Sequence, residues 1–407
     1  MKPTADQDGG KLSTVTGAHV PALDGLRGIA ILMVLLLHLV PSTPWTESPT
    51  LLVDRIFVRA ARTGWMGVDL FFVLSGFLIT GILYDTKGSA HYLRQFYARR
   101  VLRIFPLYYA TLALFLVVLP ALFPGHWVLR DLKTDAAWYW SYLSNVKVAA
   151  VGFAPSNALA HFWSLAVEEQ FYLIWPFVVL WLGRRQLLVT CVVMAVVALA
   201  IRIALAMTGY TTLPDVWTPA RMDALAIGAL IAVQARSATG LRTMARWARP
   251  VMAVVAVPLA ALFLFNVGLS TVAHSLLALF FGALLVFALT SGLGGATSTL
   301  SSPVLRFFGR YSYALYVFHF PILWFKPPIV VLIPTLFGSQ MPGYIVWLAV
   351  SASVSVGLAL ASWHVLEKPF LSLKRFFPYE SRPVALPGDV PVPGRASAQT
   401  VALQPSE

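Results

Sequence analysis

Apolar runs long enough to cross a lipid bilayer recur along this chain, and short polar or arginine-rich stretches separate them. A run of about 18 or more apolar residues is typical of a membrane helix, because a helix satisfies its own backbone hydrogen bonds in hydrocarbon. Of the 407 residues, 58% are hydrophobic and only 12% are charged, whereas soluble domains carry roughly a quarter charged residues. The sequence therefore predicts an all-α polytopic membrane bundle and excludes an ordinary soluble enzyme.

Ten spans and two terminal segments account for the whole chain. Residues 1–20 are polar and lack the apolar core and cleavage site of a signal peptide, so the first apolar run is retained as a span. Residues 21–370 form the predicted membrane domain, and residues 371–407 a predicted disordered cytoplasmic tail. The predicted spans are 23–41, 65–85, 104–123, 162–183, 187–207, 222–236, 250–268, 271–291, 307–335 and 343–366.

Positive charge is concentrated on one side of the predicted bundle. A net charge of +13 would suggest a nucleic-acid partner for a soluble protein. In a membrane protein basic residues mark the cytoplasmic loops, so we expect a lipid bilayer and no nucleic acid as partner. With the N-terminus placed in the cytoplasm, the even-numbered loops and the tail are rich in arginine, which predicts that both termini are cytoplasmic. The exceptions lie in the longer outer loops and are Arg55, Arg59, Arg62 and Arg130.

Ionisable residues within the spans are the first candidates for function, because an unpaired charge at membrane depth is costly. Arg27 and His38 lie eleven positions apart in the first span, which places them on one face about 16 Å apart. Asp69 in the second span reaches a similar depth to His38, and it either orients that histidine as a base or caps its own helix. A snorkelling arginine and a hydrogen-bonded interfacial histidine are the alternative for the first pair.

Two adjacent carboxylates lie at the start of the fourth span. Ser164, Glu168 and Tyr172 are spaced i, i+4 and i+8 and therefore share a face. Glu168 and Glu169 point about 100° apart, so at most one of them faces the bundle axis together with Tyr172. The acidic pair either takes part in catalysis, with Tyr172 as a substrate contact, or complements the positive end of the helix dipole.

Further polar residues are candidate substrate contacts. Ser312, Tyr316 and His319 share a face of the ninth span, and they either line a cavity or form a polar seam between helices. Pro321 is predicted to kink that helix just beyond them. Arg221, at the outer start of the sixth span, is either a substrate contact or an interface anchor.

The second loop contains the sequence ARRVLRIFPLYY, in which three arginines lie against the membrane: Arg99, Arg100 and Arg103. Guanidinium groups suit phosphates, although anchoring of a cytoplasmic loop explains the same charges. The single cysteine, Cys191, excludes an internal disulfide and a cysteine metal cluster. The histidines are dispersed without ligand spacing, so we expect no metal and no permanently bound cofactor.

Together these segments resemble the acyltransferase-3 family of bacterial membrane O-acyltransferases, which modify surface glycans or small molecules. The resemblance covers residues 21–370, and the order and spacing of the motifs agree with the family, including the arginine and histidine of the first span. The matching segments are LDGLRGIAILMVLLLHL, GVDLFFVLSGFLIT, RRVLRIFPLYY, HFWSLAVEEQFYLIWP, RMDALAIGAL, and GRYSYALYVFHFPI followed by EKPF.

The resemblance implies a ten-helix domain of the bacterial cytoplasmic membrane that moves an acyl group, in the first place acetyl, to a hydroxyl. Acetyl-CoA or another acyl-CoA would enter from the cytoplasm, with its phosphates at Arg100 and Arg103 and also at Arg27. Its pantetheine arm would extend toward His38, which becomes the expected catalytic residue, either as a general base or as a transiently acylated group. One carboxylate of the acidic pair would orient this histidine or bind the acceptor.

The expected acceptor is a hydroxyl of a lipid-linked glycan, a glycolipid or a small metabolite. Many members of the family carry a fused extracytoplasmic hydrolase-like domain; here a short tail follows the membrane domain, which leaves open a transfer made by that domain alone. A transporter of a polar or acylated molecule is the alternative function. Many transporters have paired interrupted helices in related halves of the chain, and the sequence shows no such pairs. A third hypothesis, a structural partner in a glycan-assembly complex, would show no dependence on His38.

Overall fold

The computed structural model describes residues 20–40, 44–49, 51–154, 157–210, 212–265, 269–290, 295–325 and 336–379. These residues are predominantly helical, and their only β-type pairing is an isolated bridge between Leu336 and Ser339. Eight helices among them are long and apolar enough to cross a membrane. The predicted all-α membrane bundle is confirmed, and the chain is a multi-pass membrane protein.

Ten principal helices correspond in order to the ten predicted spans. Shorter helices accompany them, including four between α3 and α4. The principal helices are α1 Pro21–Leu39, α2 Met66–Thr86, α3 Tyr92–Ala113, α4 Phe162–Trp181, α5 Arg184–Met207, α6 Thr218–Ala235, α7 Gly240–Phe265, α8 His274–Thr290, α9 Ser312–Phe318 and α10 Met341–Ser362. The shorter ones are Pro44–Glu47, Leu52–Arg62, Leu119–Leu122, Trp127–Thr134, Ala136–Trp140, Ser144–Val151, Leu213–Val216, Gly295–Leu300, Pro303–Arg310 and Lys368–Ser372.

Helices α2 and α6 cross at glycines near the middle of the bundle. A side chain at Gly76 would collide with the carbonyl group of Leu225, and one at Gly228 would collide with the carbonyl group of Val73. Small residues let membrane helices approach closely, which replaces the hydrophobic driving force that is absent in lipid. The close approach of α2 and α6 is therefore made at Gly76 and Gly228.

The bundle has two chemically different ends, which we name by the residues of α1. The arginine end is the end at which Arg27 lies, and the histidine end is the one at which His38 lies. At the arginine end, Lys87 Nζ donates a hydrogen bond to the carbonyl oxygen of Leu182 at 2.7 Å. At the histidine end, Trp347 Nε1 donates to the carbonyl oxygen of Leu39 at 2.9 Å, which holds α10 against α1.

The ninth span, predicted as one helix over residues 307–335, is broken in the structure. One residue, Tyr311, separates helix Pro303–Arg310 from α9, and α9 ends at Phe318, ahead of a short 3₁₀ segment, Pro321–Phe325. Pro321 has no backbone N–H to donate and disfavours a helical conformation for the residue before it, so the α-helix stops rather than bending. Residues 326–335 of the predicted span lie outside the described residues.

The arginine-rich sequence before the third span is part of α3, although its polarity predicts a loop. Arginine is a good helix former, so the helix extends from Tyr92 through these residues, and it also accommodates Pro106. The predicted tail also begins too early. Arg99 Nη1 donates to the carbonyl oxygens of Lys374 at 3.2 Å and Phe377 at 2.9 Å, so residues 371–379 pack against α3. Residues 380–407 lie outside the described part of the chain.

Candidate active site

Three histidines from separate parts of the sequence meet at the histidine end. His38 comes from the last turn of α1, His161 immediately precedes α4, and His319 follows α9. His319 Nε2 lies 3.1 Å from His38 Nδ1, and the rings of His319 and His161 are 5.0 Å apart between centroids. His161 and His319 are buried, whereas His38 is only half-buried. Phe320 packs against all three rings.

A tyrosine and a serine extend this cluster toward the bundle interior. Tyr316 Oη donates a hydrogen bond to the carbonyl oxygen of His161 at 2.9 Å, and it lies 2.5 Å from Ser164 Oγ. The predicted shared face of Tyr316 and His319 is therefore confirmed. The third residue of that predicted set, Ser312, is buried at the first position of α9, and its hydroxyl makes no hydrogen bond to the described residues.

The acidic segment of α4 faces α2. Ser75 Oγ donates to Glu168 Oε1 at 2.5 Å, and Tyr172 Oη donates to Ser75 Oγ at 3.1 Å. Glu168 and Tyr172 therefore share the face predicted from their spacing. Glu168 accepts its hydrogen bond from Ser75 and makes none with His38, so this carboxylate does not orient His38.

Glu169 points away from Glu168, as the 100° rotation between adjacent helix positions predicts. Its electrostatic partners include Tyr109 of α3, Tyr142 just after the short helix Ala136–Trp140, and Tyr313 of α9. The two carboxylates therefore lie in different environments. One faces the polar interior between α2 and α4, and the other faces a group of tyrosines.

An arginine cluster lies next to Glu168 at the other end of the bundle. Arg27 interacts electrostatically with Glu168, Tyr172 and Arg100, and Arg103 interacts with Arg27 and Arg100. The guanidinium group of Arg100 lies 5.6 Å from the ring centroid of Tyr172, and its buried Nε has no hydrogen-bond partner among the described residues. A cationic group with an unused donor is suited to an anionic ligand.

Arg99 is separated from this arginine cluster by its hydrogen bonds to the C-terminal segment. Its guanidinium group also lies 4.4 Å from the ring centroid of Tyr379. The sequence groups all three arginines of the motif together as phosphate ligands. In the structure Arg100 and Arg103 turn toward Arg27, and Arg99 anchors residues 374–379.

Asp69 and Arg221 form a buried ion pair with each other, and neither contact predicted for Asp69 is present. Arg221 Nη2 donates to Asp69 Oδ1 at 2.9 Å, and His274 Nδ1 lies 3.2 Å from the same oxygen. Within the described part of the chain, Asp69 makes no side-chain cap on its own helix, and the hydrogen-bond partners of His38 are Val34 and His319 rather than Asp69. Arg221 is buried rather than anchored at the interface, because Asp69 provides a counter-charge inside the bundle.

A line of polar side chains thus runs through the bundle between its two ends. It begins with the histidines, passes Tyr316 and Ser164, reaches Glu168 with Ser75 and Tyr172, and ends at the arginine cluster. Such an arrangement can bind an anionic group at one end and move a proton at the other. Among the described residues, no group of histidine, cysteine, aspartate or glutamate side chains is arranged to hold a metal ion.

Two members of this line do not stand out in the sequence. His161 lies just before the fourth span, close to the acidic pair, and it is one of only eight histidines. A serine within an apolar span, such as Ser75, is typical of close helix packing. The signal that could have found His161 is its position, because the fourth span begins at the end of the bundle where His38 and His319 were already expected.

Comparison with known proteins places this site in a family. A family model described as "Acyltransferase domain", the Acyl_transf_3 family, matches residues 20–364. The peptidoglycan O-acetyltransferase OatA of Listeria monocytogenes is 36% identical over 187 residues, which are 43% of this chain and 27% of that protein. The putative peptidoglycan O-acetyltransferase YrhL of Bacillus subtilis is 37% identical over 166 residues, which are 39% of this chain and 23% of that protein.

A third relative extends the similarity over more of the chain. The O-acetyltransferase OatA of Staphylococcus aureus is 31% identical over 230 residues, which are 53% of this chain and 34% of that protein. The matched regions therefore cover about a third or less of the length of these relatives. No solved structure matches the chain. Because the family model spans most of the sequence, from residue 20 to residue 364, the chain belongs to the acyltransferase-3 family of membrane acyltransferases.

Proposed function

We propose that this protein is a membrane O-acetyltransferase that moves acetyl from acetyl-CoA to a hydroxyl group of a glycan. The observation that carries the proposal is the polar line between the arginine cluster and His38. Arg27 and His38 are eleven residues apart on α1, hence about 16 Å apart along the helix. That distance is comparable to the reach of an extended pantetheine arm, so a donor bound by its phosphates at one end would present its thioester at the other.

The arginine cluster supports the choice of an acyl-CoA donor. Guanidinium groups bind phosphates through charge-assisted hydrogen bonds, and Arg100 has an unused donor beside the ring of Tyr172. Arg27 and Arg103 add positive charge within electrostatic range of Arg100. Acetyl-CoA acts here as a substrate, so the protein needs no permanently bound cofactor.

The acceptor is inferred from the chemistry of the histidine end and from the names of the relatives. Two of the similar proteins are named peptidoglycan O-acetyltransferases, which favours a glycan hydroxyl over a small metabolite. In a general-base reaction, His38 takes the proton of the hydroxyl while its oxygen attacks the thioester carbonyl. The carbon–sulfur bond then breaks, and His38 returns the proton to the leaving thiolate. In the acyl-histidine route, His38 attacks the thioester carbonyl first, and the carbon–sulfur bond breaks to release CoA as a thiolate. The acceptor hydroxyl then attacks the acetyl group, the bond to the histidine nitrogen breaks, and the hydroxyl proton goes to the CoA thiolate.

The orientation proposed for the protein follows from the arginine bias of its loops. We place the arginine end in the cytoplasm of a bacterium, where acetyl-CoA is made, and the histidine end toward the outer face of the cytoplasmic membrane. Both termini are then cytoplasmic. An acceptor at the outer face would be reached directly from the histidine end.

Transfer of radiolabelled acetyl tests the proposal. Membranes containing the wild-type protein receive labelled acetyl-CoA together with peptidoglycan fragments, extracted glycolipid or soluble hydroxylated metabolites. We expect labelled ester on a glycan acceptor with the wild type and none with His38→Ala. His364→Ala is the matched control, because His364 is exposed and its one hydrogen bond among the described residues goes to the carbonyl oxygen of Leu360.

The outcomes separate the parts of the proposal. Label on a small metabolite alone would overturn the glycan acceptor but keep acyl transfer. Equal labelling by the wild type and His38→Ala would overturn the role of His38. No transfer from acetyl-CoA to any acceptor, with protein present at normal levels, would overturn the donor and favour the transporter hypothesis.

A further inference from the structure

We infer that His319 is a positioning residue, which holds His38 in the tautomer that leaves Nε2 free to react. The sequence places His319 among substrate contacts, and the expected partner of His38 is a carboxylate. In the structure neither Asp69 nor Glu168 hydrogen bonds to His38, and the ring nitrogen facing His38 Nδ1 belongs to His319. The kinetic consequence of this inference rests on the proposed function, whereas the hydrogen bond does not.

The backbone determines which nitrogen of His319 carries the proton. Nδ1 of His319 lies 2.7 Å from the carbonyl oxygen of Tyr316 and 3.2 Å from that of Leu315. Carbonyl oxygens only accept hydrogen bonds, so Nδ1 must be the protonated nitrogen. In the neutral ring, Nε2 of His319 then carries a lone pair and can only accept.

The same reasoning applied to His38 gives its tautomer. Nδ1 of His38 lies 3.1 Å from Nε2 of His319 and 3.1 Å from the carbonyl oxygen of Val34. Both neighbours are acceptors. A lone pair on His38 Nδ1 would therefore face the lone pairs of both acceptors, whereas an N–H at this position can be shared between His319 Nε2 and the carbonyl oxygen of Val34. Nδ1 of His38 is therefore the donor, and Nε2 carries the lone pair that a base or a nucleophile needs.

Burial of His319 favours its hydrogen bond with His38 over hydrogen bonds with water. His319 is fully buried, with no exposed surface, so water does not compete for its Nε2. The carbonyl oxygen of Val34 also accepts from His38, but it lies one turn back on the same helix. The contact with His319 adds a second fixed point from a different helix. A histidine thus does here what a carboxylate does in a serine hydrolase triad, without placing a negative charge at membrane depth.

Replacement of His319 by glutamine and by methionine separates positioning from packing. Glutamine retains an acceptor near the position of Nε2, whereas methionine has a similar size and no comparable acceptor. We expect His319→Met to lower kcat for acetyl transfer by about 100-fold with KM for acetyl-CoA unchanged, in line with loss of general-base catalysis. His319→Gln should recover at least about tenfold of that loss. Equal losses in both variants, or a loss confined to KM, would overturn the positioning role.

Nitrogen NMR of histidine-labelled protein reads the tautomer without any assay of activity. The His38 signals are identified by their absence from His38→Gln. We expect protonated Nδ1 and unprotonated Nε2 at His38 in the wild type, and loss of that preference in His319→Met. Protonated Nε2 in the wild type would overturn the inference even if the enzyme is active. A wild type that shows the expected tautomer but transfers no acetyl would refute the proposed function while retaining the hydrogen bond.

Discussion

At the scale of single residues, the buried pair of Asp69 and Arg221 shows what a charge inside the bundle requires. Both side chains are almost completely buried, and they meet at 2.9 Å. Removal of one partner leaves the other charge without compensation in a medium of low polarity, which costs about 3–5 kcal/mol in buried pairs. We therefore expect Asp69→Asn to lower the free energy of unfolding by about that amount, measured by thermal unfolding in detergent.

The pair of Asp85 and Arg236 provides the control for this prediction. Its atoms meet at 2.5 Å, but the Asp85 side chain is 35% exposed, so solvent screens the interaction. Asp85→Asn should cost only about 1 kcal/mol or less, and Asp69→Asn with Arg221→Met should recover part of the larger loss. If Asp69→Asn and Asp85→Asn lower the free energy of unfolding by similar amounts, the ion pair of Asp69 does not contribute as a buried pair.

Single residues also show how far the site can be read from the sequence. Spacing along one helix gave the shared face of Glu168 and Tyr172 and the stripe of Arg27 and His38, because helix geometry is local. The partners Ser75, His161 and His319 come from other helices. Which helix faces which is determined by packing between distant segments, and spacing within one segment contains no information about it.

At the scale of helices, the crossing of α2 and α6 depends on the absence of side chains at Gly76 and Gly228. Gly76→Ala would place a methyl group against the carbonyl group of Leu225, so the two helices must separate. We expect this substitution to destabilise the protein and lower its melting temperature in detergent, because close approach is what holds membrane helices together.

Gly357 in α10 is the matched control for that substitution. It is also helical, but a side chain there would meet nothing within 4 Å. Gly357→Ala should stabilise the protein by up to about 1 kcal/mol, because alanine is the better helix former. A Gly76→Ala protein as stable as Gly357→Ala would contradict the close packing of α2 and α6.

Helices were the most predictable level of this structure, because ten apolar runs gave ten helical segments. The predicted helix bounds are wrong where a helix is polar and where an apolar segment is not helical. The arginines of α3 are polar yet helical, and the segment around Pro321 is apolar yet interrupted. A membrane helix is recognised by its apolar side chains, but its ends are set by backbone hydrogen bonding.

At the scale of the whole molecule, the proposed orientation can be tested with single reporter cysteines. The native Cys191 is buried and should react little. Arg59→Cys lies on the exposed side of a short helix at the histidine end, and Arg185→Cys is exposed beside the loop bonded to Lys87. In intact spheroplasts, a membrane-impermeant maleimide should label Arg59→Cys and should label Arg185→Cys only after permeabilisation. The reverse pattern would place the arginine end outside.

The central claim is that the arginine end binds the donor and the histidine end carries out the transfer. Initial rates of acetyl transfer by reconstituted protein, measured over a range of acetyl-CoA concentrations, test it directly. Arg100→Gln should raise KM for acetyl-CoA about tenfold with little change in kcat, as expected for one lost charge-assisted hydrogen bond. His38→Ala should lower kcat at least about 100-fold with KM unchanged. A loss of kcat alone in Arg100→Gln, or a rise in KM alone in His38→Ala, would contradict this division between the two ends.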